Sequence, residues 1–238
     1  MLPPNKLRAS LNNRILAALP RGEYERLRLF QESVRLAQGR VIYDAGDFIK
    51  HVYFPLGGML SLISTTRAGA SVEVGMIGDE GVAGLPAILR VSTAPYRVVM
   101  QLPGNAVRFR VDVLKDAFDK GGRLQDLLLR YMHTLMTQIS QSAACNRFHT
   151  VEERLCRWLL VSRDRVQSDE LNLTQEFLSQ MIGSPRTSVT AIAAALQRAN
   201  LISYSRGKIR ILDRGGMEVT SCECYEVVRD SINEFLAA

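Results

Sequence analysis

The chain has 238 residues, 47% of them hydrophobic and 23% charged, the balance of an ordinary soluble protein of one or two domains. A formal net charge of +6 favours an anionic partner without naming it. No apolar run approaches the roughly 18 residues of a membrane span, and Met1–Asn13 lacks the apolar core of a signal peptide, so a cytoplasmic protein without a membrane partner is expected.

Residues 1–30 read as a polar lead followed by short helices, broken by Pro20 and Gly22. From Ser33 to Arg110 the pattern turns to short β-runs: SVRL, RVIY, HVYF, MLSLIST, SVEVGMI, YRVVMQL and AVRFR. Glycines and the Asp44–Asp47 and Pro103-Gly104 turns separate them, which predicts an antiparallel barrel or a jelly-roll-like sandwich. A cupin enzyme would need several histidines and a carboxylate in such a roll for its metal, and this region has only His51, read as a surface or strand residue.

Residues 111–146 switch to helical periodicity. After Gly121-Gly122 the apolar positions include Leu124, Leu128, Tyr131, Met132, Leu135 and Ile139, a stripe too wide for packing on one side only. One face is expected to cover the roll and the other to meet a second copy in a coiled-coil-like seam; the alternative is a core helix of a monomer. His133, alone on this helix, is read as a rim residue rather than a ligand.

The stretch LTQEFLSQMIGSPRTSVTAIAAALQRANL (Leu173–Leu201) carries the most specific pattern. Thr174 is a candidate cap for a first helix, and Gly183 ends it in a left-handed turn. Ser184, with Pro185 behind it, is the expected cap of a second helix. That helix buries Val189, Ile192, Ala193 and Leu196 and turns Arg186, Thr187, Thr190 and Ala191 outward. Two helices about a glycine turn form a helix-turn-helix, whose second helix fits the DNA major groove. A hairpin used only for packing is the plain alternative. Against it, LISYSRGKIRIL (Leu201–Leu212) predicts a β-hairpin turning at Arg206-Gly207, the form of a wing. Between Arg186 and Arg214 six basic residues stand against the single acid Asp213, which suits a phosphate backbone. Candidate DNA contacts are Thr174, Ser184, Arg186, Thr187, Ser188, Thr190, Arg206 and Lys208.

The order of roll, long helix and winged helix-turn-helix, with IGSPRTSVTAIAAALQRANLI, the RGKIRIL wing and FHTVEERLCRWLL (Phe148–Leu160), resembles the Crp/Fnr family of bacterial transcription regulators. The resemblance implies an α+β chain divided into N-terminal helices with a double-stranded β-helix or jelly-roll sensor (residues 1–110), a long dimerisation helix (111–146) and a winged helix-turn-helix domain with a C-terminal tail (147–238). It further implies a homodimer on a two-fold site in double-stranded DNA, with RNA polymerase as a further partner and an effector sensed by the roll. Effector contacts carried over from the family fall on Gly81, Val82, Gly84, Leu85, Ser92 and Thr93, with Ile139 and Ser140 on the long helix.

The chain departs from that pattern at several points. Family members that bind cyclic nucleotides hold the ribose with a glutamate and clamp the phosphate with an arginine followed by serine or threonine. Here Val82 replaces the glutamate and Ser92-Thr93 occupy the clamp, leaving Arg90 and Arg97 as nearby substitutes. Cyclic AMP binding of the familiar kind is not expected. An iron–sulfur sensor needs N-terminal cysteines, and the first here is Cys145; a haem sensor would rest on His51 alone. Cys222-Glu223-Cys224 supplies at most half of a tetrahedral zinc site, so these thiols, like Cys145 and Cys156, are read as ordinary reduced cysteines, and no metal or cofactor is expected. On the reading helix, Arg186 keeps the first of the best-known member's base-facing positions, while Thr187 and Ala191 replace a glutamate and a second arginine. No GxxxxGK[ST], GxSxG or HExxH motif is present, so catalysis is not expected. The remaining rival is a regulator whose roll has lost its ligand and binds DNA constitutively or under protein control.

Overall fold

A computed structural model of the chain describes residues 12–237, so the polar lead lies outside the described residues. The chain divides into two compact units. The first holds the residues up to Leu62, Met76–Leu135 and the C-terminal segment from Ile232; the second holds Ile63–Gly75 and Met136–Ser231.

The first unit opens with α1 (Arg14–Ala17) and α2 (Arg21–Arg28). Gly22 lies inside α2 instead of breaking it, because Pro20, as N-cap, already separates the two helices. Asn13 does more than cap α1. Its side-chain oxygen accepts from the Leu16 backbone N–H at 3.2 Å, while its amide donates to the carbonyls of Pro55 at 3.0 Å and Gly81 at 2.9 Å. One fully buried side chain thus ties the N-terminal helices to two loops of the roll.

The strands are β1 (Glu32–Leu36), β2 (Val41–Tyr43), β3 (His51–Pro55), β4 (Met59–Thr65), β5 (Ser71–Ile77), β6 (Arg97–Leu102) and β7 (Gly104–Arg110). They form one sheet in the order β1-β7-β3 and another in the order β2-β6-β4-β5, the β-roll expected from the glycine-punctuated runs. In β7, Val107 faces Phe54 of β3 and Ser33 of β1, an antiparallel register on both sides. Buried Phe54 and Phe109 meet edge to face, ring centroids 5.6 Å apart, within the apolar filling of the roll.

Residues 111–146 are not one helix. They form α4 (Val111–Asp119) and nearly all of α5 (Arg123–Phe148), because Gly121 and Gly122 take φ of 76° and 93°, where a helix cannot continue. The new N-terminus is capped from a distance: the Glu23 carboxylate on α2 accepts the backbone N–H groups of Arg123 at 3.2 Å and Leu124 at 3.0 Å. Two of the four orphan donors of α5 are thereby satisfied, by a charge the helix dipole favours.

The dimer stripe expected on this helix also needs correction. Leu124, Leu128, Tyr131 and Leu135 are only 1%, 1%, 2% and 6% exposed within a single chain, leaving no area for a partner to cover. Of the six, only half-buried Met132 and Ile139 remain accessible. The period alone shows a wide apolar band, and it takes the packed chain to show which edge of the band faces inward.

In the second unit, α6 (Val151–Val166) starts at a capping box in which Thr150 and Glu153 exchange side-chain and backbone bonds. Its Trp158 is 1% exposed, donates from Nε1 to Glu73 Oε1 at 2.7 Å and lies edge to face with Phe177 at 6.2 Å. Then come β8 (Glu170–Asn172), α7 (Gln175–Ile182), α8 (Arg186–Arg198), β9 (Ile202–Ser205), β10 (Lys208–Ile211), α9 (Arg214–Thr220) and α10 (Cys224–Ala237). The fold class is α+β, with a β-roll, a long helix and a helix-turn-helix.

The Asn13 anchor generates a test. Asn13→Ala should lower stability by roughly 2–4 kcal/mol, since it deletes a cap and strands two buried carbonyls. Urea unfolding with an unchanged midpoint would show the anchor to be dispensable.

Candidate nucleic-acid interface

Helices α7 and α8 are joined by a turn whose geometry follows from one residue. Gly183 sits at φ 64°, ψ 41°, and its N–H and that of Ser184 return to the carbonyls of Gln180 and Ser179 at 3.3 and 3.0 Å. This closes the end of α7 in the manner of a glycine C-cap. Arg154, from α6, donates its guanidinium to the Ile182 carbonyl and adds positive charge at that helix C-terminus.

Thr174 caps α7 as expected, its hydroxyl accepting the Phe177 N–H at 3.2 Å. Ser184 does not cap α8. Pro185 occupies the N-cap position with ψ of 141°, and α8 has no side-chain cap bond. The backbone of Ser184 is committed to closing α7, so the serine lies one residue too early. On α8, Val189, Ala193 and Leu196 are buried and Ile192 is half-buried, while Arg186, Thr187, Thr190 and Ala191 are exposed and Ser188 is half-buried. The Thr190 hydroxyl donates to the Arg186 carbonyl at 2.8 Å, with the Gln175 side-chain oxygen 2.9 Å away. Across the turn, Arg186 Nη1 lies 3.8 Å from Glu176 Oε2, both side chains more than 60% exposed, a pair easily exchanged for another anion.

The hairpin β9–β10 turns at Arg206 and Gly207, with φ of 49° and 75°. Two positive φ values give the tight two-residue turn whose twist matches the strands. No periodic signal in the residues announces β8. It pairs antiparallel with β10, Leu171 facing Ile209, making a three-stranded sheet in the order β8-β10-β9. Tyr204 holds this sheet to the helices: its N–H donates to Gln197 Oε1 at 3.0 Å and its hydroxyl to the Leu173 carbonyl at 3.1 Å. Burial pushes the Tyr204 phenol above its usual range, so it stays a neutral donor there.

These elements enclose an open cleft of about 320 Å³ lined by Thr174, Gln175, Glu176, Arg186, Tyr204, Ser205, Arg206 and Gly207. The first residue of α8 and the tip of the hairpin therefore line one concavity, with Arg206 and Lys208 exposed.

In the roll, Gly81 lies so close to the Tyr131 ring that a Cβ there would overlap it. Val82 and Leu85 are 1% and 4% exposed, and Gly84, at φ 100°, caps the short helix α3 (Leu85–Ile88). Ser92 is exposed, Thr93 is half-buried, and the pair bonds or bridges to Ile49 and Phe48 at a strand edge. Neither substitute arginine points to a clamp. Arg90 pairs with Asp119 at 3.6 Å and Arg97 with Asp44 at 2.5 Å, both on the surface. Glu80, the carboxylate beside Gly81, accepts the Gly78 N–H at 3.1 Å within its own turn. Ile139 and Ser140 belong to the second unit, half-buried and exposed.

One grouping escaped the sequence altogether: Cys145, His149, Cys222 and Cys224 converge in the second unit. The available signal was the one-turn spacing of Cys145 and His149 combined with the Cys222-x-Cys224 pair.

A β-roll followed by a long helix and a winged helix-turn-helix with a basic edge defines a DNA-binding transcription regulator. Residues 33–120 match the cyclic nucleotide-binding domain family, and residues 153–219 match the Crp-like helix-turn-helix domain. A global nitrogen regulator from a Nostoc species is 23% identical over 184 residues, covering 73% of this chain and 82% of its own. The protein of the same name from a Synechocystis species is also 23% identical, with 73% and 81% covered. Among solved structures, FixK2 from Bradyrhizobium japonicum has a TM-score of 0.68 at 12% identity, over 81% of this chain and 98% of that one. A CRP-family transcriptional regulator from Thermus thermophilus has a TM-score of 0.66 at 17% identity, over 79% and 96%. The chain belongs to the Crp/Fnr family of transcription regulators.

The different fates of the two cap candidates are measurable. Thr174→Ala should cost about 1 kcal/mol of stability, whereas Ser184→Ala should change it by less than about 0.5 kcal/mol. Equal losses in paired denaturant melts would restore Ser184 as a cap.

Proposed function

We propose that this regulator binds a two-fold DNA site as a homodimer, with α8 in the major groove and the β9–β10 wing along the backbone. The observation that carries this reading is the shared cleft, where Arg186 opens α8 beside Arg206 at the wing tip. An exposed guanidinium at the start of α8 reaches guanine O6 and N7. Thr187 and Thr190 extend the reading face, with the Thr190 hydroxyl already oriented by its own helix. Thr174, Ser184 and Ser188 stand at the two helix starts, where short polar groups meet phosphates. Charge at Arg206 and Lys208 follows the backbone without reading sequence.

The dimer seam assigned to α5 is its accessible apolar row. Leu129, Met132, Met136, Ile139 and Ala143 follow alternating steps of three and four residues, with Leu129 42% and Met136 60% exposed. That spacing is the a/d repeat of a coiled coil. The roll acts as sensor for an effector other than cyclic AMP held in the familiar way, since Val82 is sealed in the core and no arginine stands at the clamp. Catalysis plays no part in this reading, and the protein works in the cytoplasm with RNA polymerase as its further partner. Among the described residues, no helix is long and apolar enough to cross a membrane.

Salt titrations on a selected site and on scrambled DNA separate the two elements. Arg186→Ala should cost roughly 1–3 kcal/mol for each base pair it reads on the selected site and relax discrimination at one base pair per half-site. Arg206→Ala or Lys208→Ala should weaken both DNAs alike and reduce the salt slope by about one for every phosphate no longer neutralised. The reverse pattern would exchange the roles of helix and wing. For the seam, Met136→Glu sets an unpaired carboxylate in an apolar interface and should weaken dimerisation at least about tenfold. Light scattering at micromolar concentration reads the result, and a dimer of unchanged strength would place the interface elsewhere.

A further inference from the structure

Four side chains from two distant stretches of the second unit meet at the end of α5. Cys145 lies in its last turn. His149 follows one turn later, its N–H still bonded to the Cys145 carbonyl at 3.2 Å. Cys222 lies in the turn between α9 and α10, and Cys224 is the first residue of α10. The Cys145 and Cys222 sulfurs are 3.5 Å apart, and the Cys224 sulfur is 3.4 Å from His149 Nδ1. All four candidate ligand atoms lie within 4.8 Å of one another. The three cysteines are 0%, 3% and 0% exposed.

That spacing selects among metals. Around a tetrahedral ion with bonds of about 2.3 Å to sulfur and 2.0–2.1 Å to nitrogen, ligand atoms sit roughly 3.5–3.8 Å apart. Two of the observed separations, 3.5 and 3.4 Å, already sit near this spacing, and the widest pair has at most about 1 Å to close. An iron–sulfur cluster spreads its thiolates around a cage of several irons and does not fit so small a group. Three thiolates and one imidazole are also a standard donor set for structural zinc.

The surroundings match a ligand set as well. His149 Nε2 faces Glu223 Oε2 at 3.2 Å, the carboxylate–histidine arrangement that fixes a ring with its other nitrogen toward a metal. Gln141 donates from Nε2 to the Cys224 sulfur at 3.0 Å, a bond that stabilises a thiolate. A zinc ion with three thiolates and a neutral imidazole carries a net charge of −1. The guanidinium of buried Arg157 lies near Cys145, and its Nε has no hydrogen-bond partner among the described residues. Surplus negative charge in this core therefore has a counterion at hand.

We propose that Cys145, His149, Cys222 and Cys224 form a mononuclear tetrahedral Zn²⁺ site that clamps the end of α5 to the α9–α10 turn. On binding, the thiol protons leave to solvent as the zinc–sulfur bonds form, and no oxidant or reductant is consumed. The ion fastens the junction at Thr150 from which α6 begins, so occupancy sets the rigidity of the second unit. This role is independent of any effector in the roll.

The test uses the full chain, purified without chelator from zinc-supplemented cells. Plasma mass spectrometry should find one zinc per chain, and stripping it should lower the melting temperature by at least about 5 °C. Co²⁺ added to the stripped protein should develop the intense visible bands of tetrahedral cobalt and a near-ultraviolet sulfur-to-cobalt band. Glu223→Gln keeps every ligand and should weaken metal affinity about 10–100-fold. Cys222→Ser with Cys224→Ser should abolish the cobalt spectrum. If that double variant does not fold, the stripped and reloaded natural chain still decides. Three results overturn the proposal: no bound metal with only pale octahedral cobalt absorption, iron with acid-labile sulfide, or thiol trapping that recovers a Cys145–Cys222 disulfide from fresh protein.

Discussion

The partition of helix α5 into an inward and an outward apolar face is the constraint on which most of this structure depends. Leu124, Leu127, Leu128, Tyr131 and Leu135 are sealed within one chain, and Tyr131 packs so closely that position 81 admits only glycine. Burial of these side chains contributes roughly 1.5–3 kcal/mol each, enough to fix the rotation of the helix about its axis. Once that rotation is set, Leu129 has to face away from the core and Met132 is left half-buried at its edge. The start of the helix is fixed as firmly, by the left-handed Gly121-Gly122 break and the Glu23 carboxylate seated on its first donors.

The DNA-facing end depends on backbone conformation more than on area. Gly183 sets the angle between α7 and α8, and the positive φ values of Arg206 and Gly207 set the tip of the wing. Neither would place Arg186 beside Arg206 without Tyr204, whose two hydrogen bonds hold the hairpin to the helices. The exposed charges are held loosely: among the described residues Arg186 has a long 3.8 Å contact with Glu176, and Arg210 a 4.0 Å pair with Glu170. Weak surface pairs contribute little to folding, so such arginines can exchange partners at small cost.

The roll follows the opposite logic. Positions to which the family resemblance assigns a ligand are occupied by the protein's own packing, with Val82 in the core and Gly81 against Tyr131. The nearby charged groups answer to partners of their own, Arg97 to Asp44 and Glu80 to its own turn. At the far end of α5 the polar chemistry is concentrated instead in a buried cluster of three thiols and an imidazole.

Much of this was legible in the residues alone, because the signals were local. Seven β-runs, the glycine that ends α7, the Arg206-Gly207 turn and the outward row of α8 all follow from neighbours within a few positions. The sequence by itself therefore determined the order of roll, long helix and winged helix-turn-helix. Tertiary structure decided whatever rests on residues far apart in the chain. It chose which leucines of α5 face inward, added β8 to the wing, and withdrew Ser184 from capping by committing its backbone to the preceding helix. It made Asn13 an anchor to Pro55 and Gly81. It also carried Cys222 and Cys224 across more than seventy residues to Cys145 and His149. A periodic pattern records that a face is apolar, and only the path of the chain brings a second surface to meet it.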